Sequence, residues 1–273
     1  MRPASDKEDM MNVVVLLKQV PDTESLIEIN AAADDIKTDN LKWIMNPYDE
    51  LGVEEALRIR EKRGNGKVTV LSCGPERATT TIRTALAMGA DEGILIHDPA
   101  LGKTDPILTA KVLAAALKTI PFDLVIAGQR AVDDDSYSVP SAVAEYLGIP
   151  MIGMVVRQEI TAGTIQCEQS LQDGTAVVEA DLPALLTTQR GLNQPRYASL
   201  PNIMKAKKKP LETRNLAAIG LDAAQFGPGA LKTRILSLAF PPQRKVCKMI
   251  SGETAEEKAA RLVQTLHEEA GVL

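Results

Sequence analysis

Apolar residues in this chain gather in short continuous runs, separated by mixed stretches with turn-forming residues at their edges. Asn12 to Leu17 is one such run, β-branched and ended by Pro21, and it predicts a strand buried on both faces. Similar runs recur at Lys67 to Cys73, Gly93 to His97 and Asp123 to Ala127. The stretches between them read as helices. Asn46 and Pro47 open the first, with Asn as N-cap and Pro at the first helical position. Asp49 and Glu50 sit in its first turn, Arg58, Arg60, Lys62 and Arg63 lie near its end, and Gly64 and Gly66 stop it, which matches the helix dipole. Further helices are expected from about Glu76 to Met88, from Asp105 to Thr119 with Thr104 or Asp105 as cap, and from Ser136 or Ser138 to Leu147. This alternation predicts βαβ units in a doubly wound, mostly parallel sheet.

From Met151 the texture changes. Met151 to Arg157, Thr164 to Gln169, Thr175 to Glu179 and Ala184 to Thr188 are strand-like, and together they predict an antiparallel extension of the sheet. Glu24 to Asp39 is acidic with little helical period, a long loop or hairpin. Gly191 to Pro210 is a polar loop rich in Pro and Asn that ends in the basic run Lys205 to Lys209. Beyond Pro241 and Pro242, Thr254 to Ala270 reads as a helix with Leu262, Val263 and Leu266 on one side. The expected division is a disordered leader over 1–10, an α/β domain over 11–235, and a C-terminal helical arm over 236–273.

Composition narrows the function. The 273 residues carry 31 Lys+Arg against 36 Asp+Glu, a net charge of −5, which argues against nucleic-acid binding. Aromatic residues are only 3%, too few for base-stacking platforms. Cys73, Cys167 and Cys247 are far apart and odd in number, which suits a reducing, cytoplasmic setting. His97 and His267 are the only histidines, so no His-based metal site is expected. Phosphate-loop, dinucleotide-fingerprint, nucleophile-elbow and zinc-protease motifs are all missing. No acid, base or nucleophile stands out, and no catalytic residue is expected.

The strongest local signal runs from Val125 to Ser138. A buried strand enters Gly128, then a polar turn, then a helix start, the place where open α/β sheets bind ligands. Asp133, Asp134 and Asp135 in that turn leave two readings open, a nucleotide loop or an acidic helix start in solvent. Cys73, after the second strand, reads first as a small buried hydrophobe.

Several motifs together resemble one family. Asn46 to Glu50, Ser72 to Pro75, Ile82 to Asp91, Gly128 to Asp135 and Leu192 to Lys209 occur in the order seen in the β subunit of electron transfer flavoprotein. The resemblance covers about Met11 to Lys209. It implies an adenine-nucleotide α-hydrolase-like fold, and a carrier that works with an α subunit holding the electron-transferring FAD. Such a pair takes electrons from acyl-CoA and related dehydrogenases, as in fatty acid oxidation, and passes them to a quinone oxidoreductase at the membrane.

The resemblance also implies site residues. An AMP would lie against Leu16, Asn46, Pro47, Tyr48, Asp49, Cys73, Gly128, Gln129, Arg130, Ala131, Val132, Asp133, Asp134, Asp135, Ser136, Tyr137, Ser138 and Val139. The segment Arg196, Tyr197, Ala198, Ser199, Leu200, Pro201, Asn202, Ile203, Met204 and Lys205 resembles the one that docks into the dehydrogenase, with Leu200 as anchor. Asp134 and the docking segment follow the AMP-binding branch. Ser136, Val139 and Ala144 to Gly148 lean toward the electron-bifurcating branch, in which a second FAD replaces AMP. A third reading, from the sheet alone, is a stand-alone adenine-nucleotide-binding sensor.

Overall fold

The computed structural model describes residues 10–102, 104–243 and 246–272. The expected leader falls outside them, Met10 excepted. The described residues form two compact units, divided between Leu236 and Ser237.

The first unit is built on a nine-stranded sheet. Its strands are β1 (Met11–Leu16), β4 (Gly66–Cys73), β5 (Glu92–Ile96), β6 (Leu124–Gly128), β7 (Met151–Ile160), β8 (Thr164–Leu171), β9 (Gly174–Asp181), β10 (Ala184–Thr188) and β11 (Leu211–Arg214). They lie in the order β11-β5-β4-β1-β6-β10-β7-β8-β9. From β11 to β7 all neighbours run parallel, and β8 and β9 follow antiparallel. A separate antiparallel pair, β2 (Gln19–Pro21) with β3 (Trp43–Met45), closes the acidic segment into a long hairpin.

The helices are α1 (Pro47–Arg63), α2 (Thr79–Met88), α3 (Pro106–Leu117), α4 (Val139–Leu147) and α5 (Leu200–Ala206). Side chains alternate across a strand, so β1 feeds two cores. Val13 and Val15 pack with Val53, Ala56, Leu57, Ile82 and Leu86 of α1 and α2. Val14 and Leu16 pack with Leu113, Leu117, Val143 and Ala144 of α3 and α4. Helices on both faces of a parallel sheet make the doubly wound architecture expected from the sequence.

Three expectations need correction. Ala184–Thr188 does not join the antiparallel extension, because β10 inserts between β6 and β7, parallel to both. Its unbroken burial is the mark of a two-sided parallel strand. The supposed loop over 191–210 contains α5, capped by the Ser199 side chain, which accepts from Asn202 N. The supposed side-chain caps of α1 and α4 do not cap. Ser138 Oγ donates instead to the Ser136 carbonyl at 2.7 Å. Asp105 does cap α3, accepting from Leu108 N at 2.8 Å.

The described residues of the second unit, from Ser237, carry no strand and end in the helix α6 (Ala255–Thr265) and a π-helical turn, Leu266–Ala270. Thr254 caps α6, accepting from Glu257 N. No helix among the described residues is long and apolar enough to cross a membrane.

Candidate functional site

The order of strands locates the cleft. From β1 the chain builds outward through β4 and β5, then returns to place β6 on the other side of β1. The reversal between β1 and β6 opens a crevice at their carboxyl ends, where ligands of open α/β sheets bind. Leu16 ends β1 and Gly128 ends β6, so both flank that crevice. Cys73 ends β4, one strand further along, and packs in the same apolar cluster as Leu16. Thr188, which ends β10, borders Gly128 from the far side.

Residues at the start of α1 tie these ends together. Asp49 is buried and accepts from Lys18 N at 2.7 Å, Gly128 N at 3.0 Å and Asn46 Nδ2 at 2.9 Å. Asn46 Nδ2 also donates to the Arg130 carbonyl at 2.9 Å, and Asn46 Oδ1 accepts from Val132 N at 3.2 Å. An N-cap residue would spend its side-chain oxygen on its own helix; Asn46 spends it on the loop after β6. Thr188 Oγ1 donates to the Tyr48 carbonyl at 2.6 Å. Glycine is required at 128 by close approach, since a methyl there would run into the Asp49 carboxylate and stand 2.9 Å from Tyr48 Cβ.

The three loop carboxylates face protein cations. Lys18 Nζ bridges Asp133 at 2.8 Å and Asp134 at 2.9 Å. Burial works against the Lys18 charge, yet these two carboxylates outweigh it and raise its pKa. Arg130 Nη1 grips both oxygens of Asp135 at 2.6 and 2.7 Å, and its Nη2 donates to Tyr48 Oη at 3.1 Å. The Arg130 guanidinium lies over the Tyr48 and Tyr137 rings, at 5.1 and 5.8 Å from their centroids. Asp135 and Tyr137 take left-handed backbone angles, φ 48° and 55°, which folds the turn back on itself. Burial pushes the Asp49 carboxyl up to about 7, against the pull of the N–H groups it accepts. Burial likewise pushes the Cys73 thiol up to about 12, so it is an inert apolar wall. Gln129 Oε1 is buried without a hydrogen-bond partner among the described residues.

The second candidate surface lies apart from this crevice, on α5. Tyr197 is 99% and Leu200 79% exposed, with Ile203 and Met204 also uncovered. Arg83 Nη1 donates to the Ala206 and Lys209 carbonyls at 2.7 Å each, fastening the helix end to α2. Arg196 is held by Glu54 and Glu61. Hydrogen bonds from Arg196 and Arg58 lower the Glu54 pKa despite its burial, and Arg196 lowers that of Glu61.

Residues 35–219 match the family described as the electron transfer flavoprotein domain. The electron transfer flavoprotein subunit beta of Bacillus subtilis (strain 168) is 40% identical over 264 residues, covering 96% of this chain and 100% of the relative. The chain belongs to the electron transfer flavoprotein β-subunit family. Its counterpart in Bradyrhizobium diazoefficiens is 37% identical over 263 residues, 96% of this chain and 100% of the relative. The one in Thermoanaerobacterium thermosaccharolyticum is 36% identical over 258 residues, 94% and 98%. The expectation of an electron carrier rather than an enzyme agrees with the function in the family's name.

Within that family's fold, the structure brings Leu16, Asn46, Tyr48, Asp49 and the loop from Gly128 to Ser138 to one crevice edge. Ser136 and Ser138 contribute turn contacts rather than a cap. Sequence reasoning missed Lys18 and Thr188. Lys18 stands two residues past the end of β1, and that position at a strand's carboxyl end is the signal that could have found it.

Proposed function

We propose that this chain is the β half of a heterodimeric electron transfer flavoprotein and holds AMP as a structural ligand in its switch-point crevice. The FAD that accepts and gives up electrons would belong to the α half. What carries this reading is the convergence of the end of β1, the start of α1 and the loop after β6 on one crevice edge, in a chain of this family.

The residues present fit an adenine nucleotide. Gly128 lets the loop leave the sheet pressed against Tyr48 and Asp49. Gln129 Oε1 is a buried acceptor that calls for a donor, and an adenine amino group or a ribose hydroxyl supplies one. Lys18 and Arg130 offset two of the three neighbouring carboxylate charges, which lessens the repulsion of a phosphate by the loop. Leu16, Asn46, Pro47, Tyr48, Asp49 and Cys73 would line the sheet side, and Gly128 to Val139 the loop side. Bound there, AMP ties loop to sheet and takes no part in electron movement.

In this reading Tyr197, Leu200 and Met204 meet an acyl-CoA or related dehydrogenase in the cytoplasm, and electrons pass on to a quinone oxidoreductase. A few exposed apolar anchors suit a contact that must release after each transfer. Residues from 236 onward would pack on the α subunit. The supporting observation is that α6 has no buried residue, while Leu262, Val263, Phe240 and Met249 stand exposed.

The test is co-expression with an α-type flavoprotein chain, then stopped-flow mixing with a reduced acyl-CoA dehydrogenase. Co-purification and saturable reduction of the flavin are expected. A chain that stays a stable free monomer beside that partner overturns the reading.

A further inference from the structure

The chain that leads into α5 lies along one face of α1. Asn193 Nδ2 donates to the Leu51 carbonyl at 3.0 Å and to Glu55 Oε2 at 2.8 Å. Arg58 Nη2 donates to the Gln194 carbonyl at 3.3 Å. Arg196 closes the series. Its Nε donates to Glu54 Oε2 at 2.8 Å and its Nη1 to Glu61 Oε1 at 2.6 Å. Its Nη2 reaches Glu54 Oε1 at 3.2 Å and Glu61 Oε2 at 3.0 Å. Even its backbone N–H donates to Glu54 Oε2, at 3.2 Å. Leu51, Glu54, Glu55, Arg58 and Glu61 recur at helical spacing, so they share a face of α1.

The contrast with the next residue is abrupt. Glu54 is 3% exposed, whereas Tyr197 is 99% exposed. The segment is therefore clamped at residue 196 and touches the core again at Ala198, which leaves the Tyr197 side chain free between them. Its other end is clamped on α2, where Lys209 Nζ donates to the Leu86 and Ala90 carbonyls at 3.0 and 2.6 Å. A guanidinium fork gives each of the two carboxylates two N–H groups, which a lysine ammonium cannot match.

We infer that Arg196 is a positioning residue for dehydrogenase docking: forked between Glu54 and Glu61, it fixes where the chain leaves α1 and so sets the pose of Tyr197 and Leu200. This rests on the docking reading above, and it moves Arg196 from the docking surface to its support. Holding the exposed segment in one pose lowers the ordering cost of each encounter. The effect falls on recognition, and the flavin and the nucleotide are untouched.

The experiment uses the assembled heterodimer and follows its flavin reduction by a reduced acyl-CoA dehydrogenase across a range of heterodimer concentrations. Three variants are compared: Glu61→Gln, Arg196→Lys and Leu200→Ala. Glu61 is half exposed, so its replacement leaves folding intact, which the melting temperature checks. Glu61→Gln and Arg196→Lys are expected to raise KM for the heterodimer by roughly threefold to tenfold, from lost preorganisation. Their kcat, flavin spectrum and nucleotide content stay at wild-type values.

A direct Arg196 contact to the dehydrogenase predicts otherwise. Freeing Arg196 by Glu61→Gln would then lower KM or leave it alone, and Arg196→Lys, which keeps the charge, would change little. Either result overturns the inference while the Leu200→Ala effect stands. If Leu200→Ala also leaves KM unchanged, the docking reading itself is wrong and the positioning role falls with it.

Discussion

The switch-point crevice and the segment leading into α5 are both organised by α1, and they are built in opposite ways. At the start of α1, Asn46 and Asp49 are buried and bound to backbone groups of two other segments, the one after β1 and the one that ends β6. Further along, Glu54 and Glu61 grip the root of a segment whose apolar side chains then stand free in solvent. The first arrangement suits a ligand that stays, because the side chains that hold it together, Asn46 and Asp49, are buried and shared among several contacts. The second suits a partner that leaves, because the apolar side chains stand exposed and only Glu54 in their support is buried. In the reading proposed above, one helix thus separates a structural site from a transient one by about three turns.

The largest effect is expected at the crevice. In Gly128→Ala, the added methyl meets the Asp49 carboxylate and Tyr48 Cβ, and Asp49 can yield only by giving up its hydrogen bonds. Overpacking of this kind costs about 1–3 kcal/mol. Thermal melting should fall and nucleotide should be lost, while an unchanged melt would mean the loop is not seated on α1 as described. Next comes Leu200→Ala, which removes the exposed anchor. A hot-spot leucine is worth about 2 kcal/mol or more, so transfer from dehydrogenase should slow at least tenfold, with flavin spectrum and nucleotide content intact. Loss of nucleotide in this variant would break the separation between the two regions.

A pH effect follows for the crevice alone. Asp49 is held up to about 7 by burial, so the folded chain binds a proton that the unfolded chain has released. The contribution of protonated Asp49 to stability is complete below about pH 4 and is lost as pH rises through about 7. Chemical denaturation of wild type against Asp49→Asn should show a wild-type decline between pH 5 and 7 that the variant lacks, by roughly the linkage expected of one proton. Parallel curves would show that Asp49 stays ionised throughout. The smallest effect is expected for Ser138→Ala. Its hydroxyl serves a local turn and caps nothing, so denaturant midpoints should move by no more than about 0.5 kcal/mol.

Much of the fold was legible in the sequence because its signals are local. β1, β4, β5 and β6 are continuous apolar runs, and α1 and α3 carry Pro at their starts. The placement of β10 was not legible. A buried five-residue run states that both faces are covered and says nothing about which neighbours cover them. α5 was hidden for the opposite reason. Its exposed Leu200, Ile203 and Met204 give no inward-facing stripe, although Ser199 followed by Pro201 is a readable start signal. In the crevice, the strand-to-glycine turn at Gly128 was readable, and so was the opening Asn46-Pro47. Lys18 was not, because its role depends on carboxylates 115 and 116 residues away in the chain. The two readings of Asp133 to Asp135 also needed the fold. Their cations, Lys18 and Arg130, come from the end of β1 and from the loop itself.

The central claim is that the crevice holds a structural adenine nucleotide while the redox flavin sits on the partner. The most direct measurement is to purify the heterodimer, release its ligands by denaturation, and identify them by absorbance and mass. The account predicts one AMP and one FAD per heterodimer, with the AMP lost in Gly128→Ala and the FAD retained. Two FAD per heterodimer, or no nucleotide beyond one FAD, would contradict it.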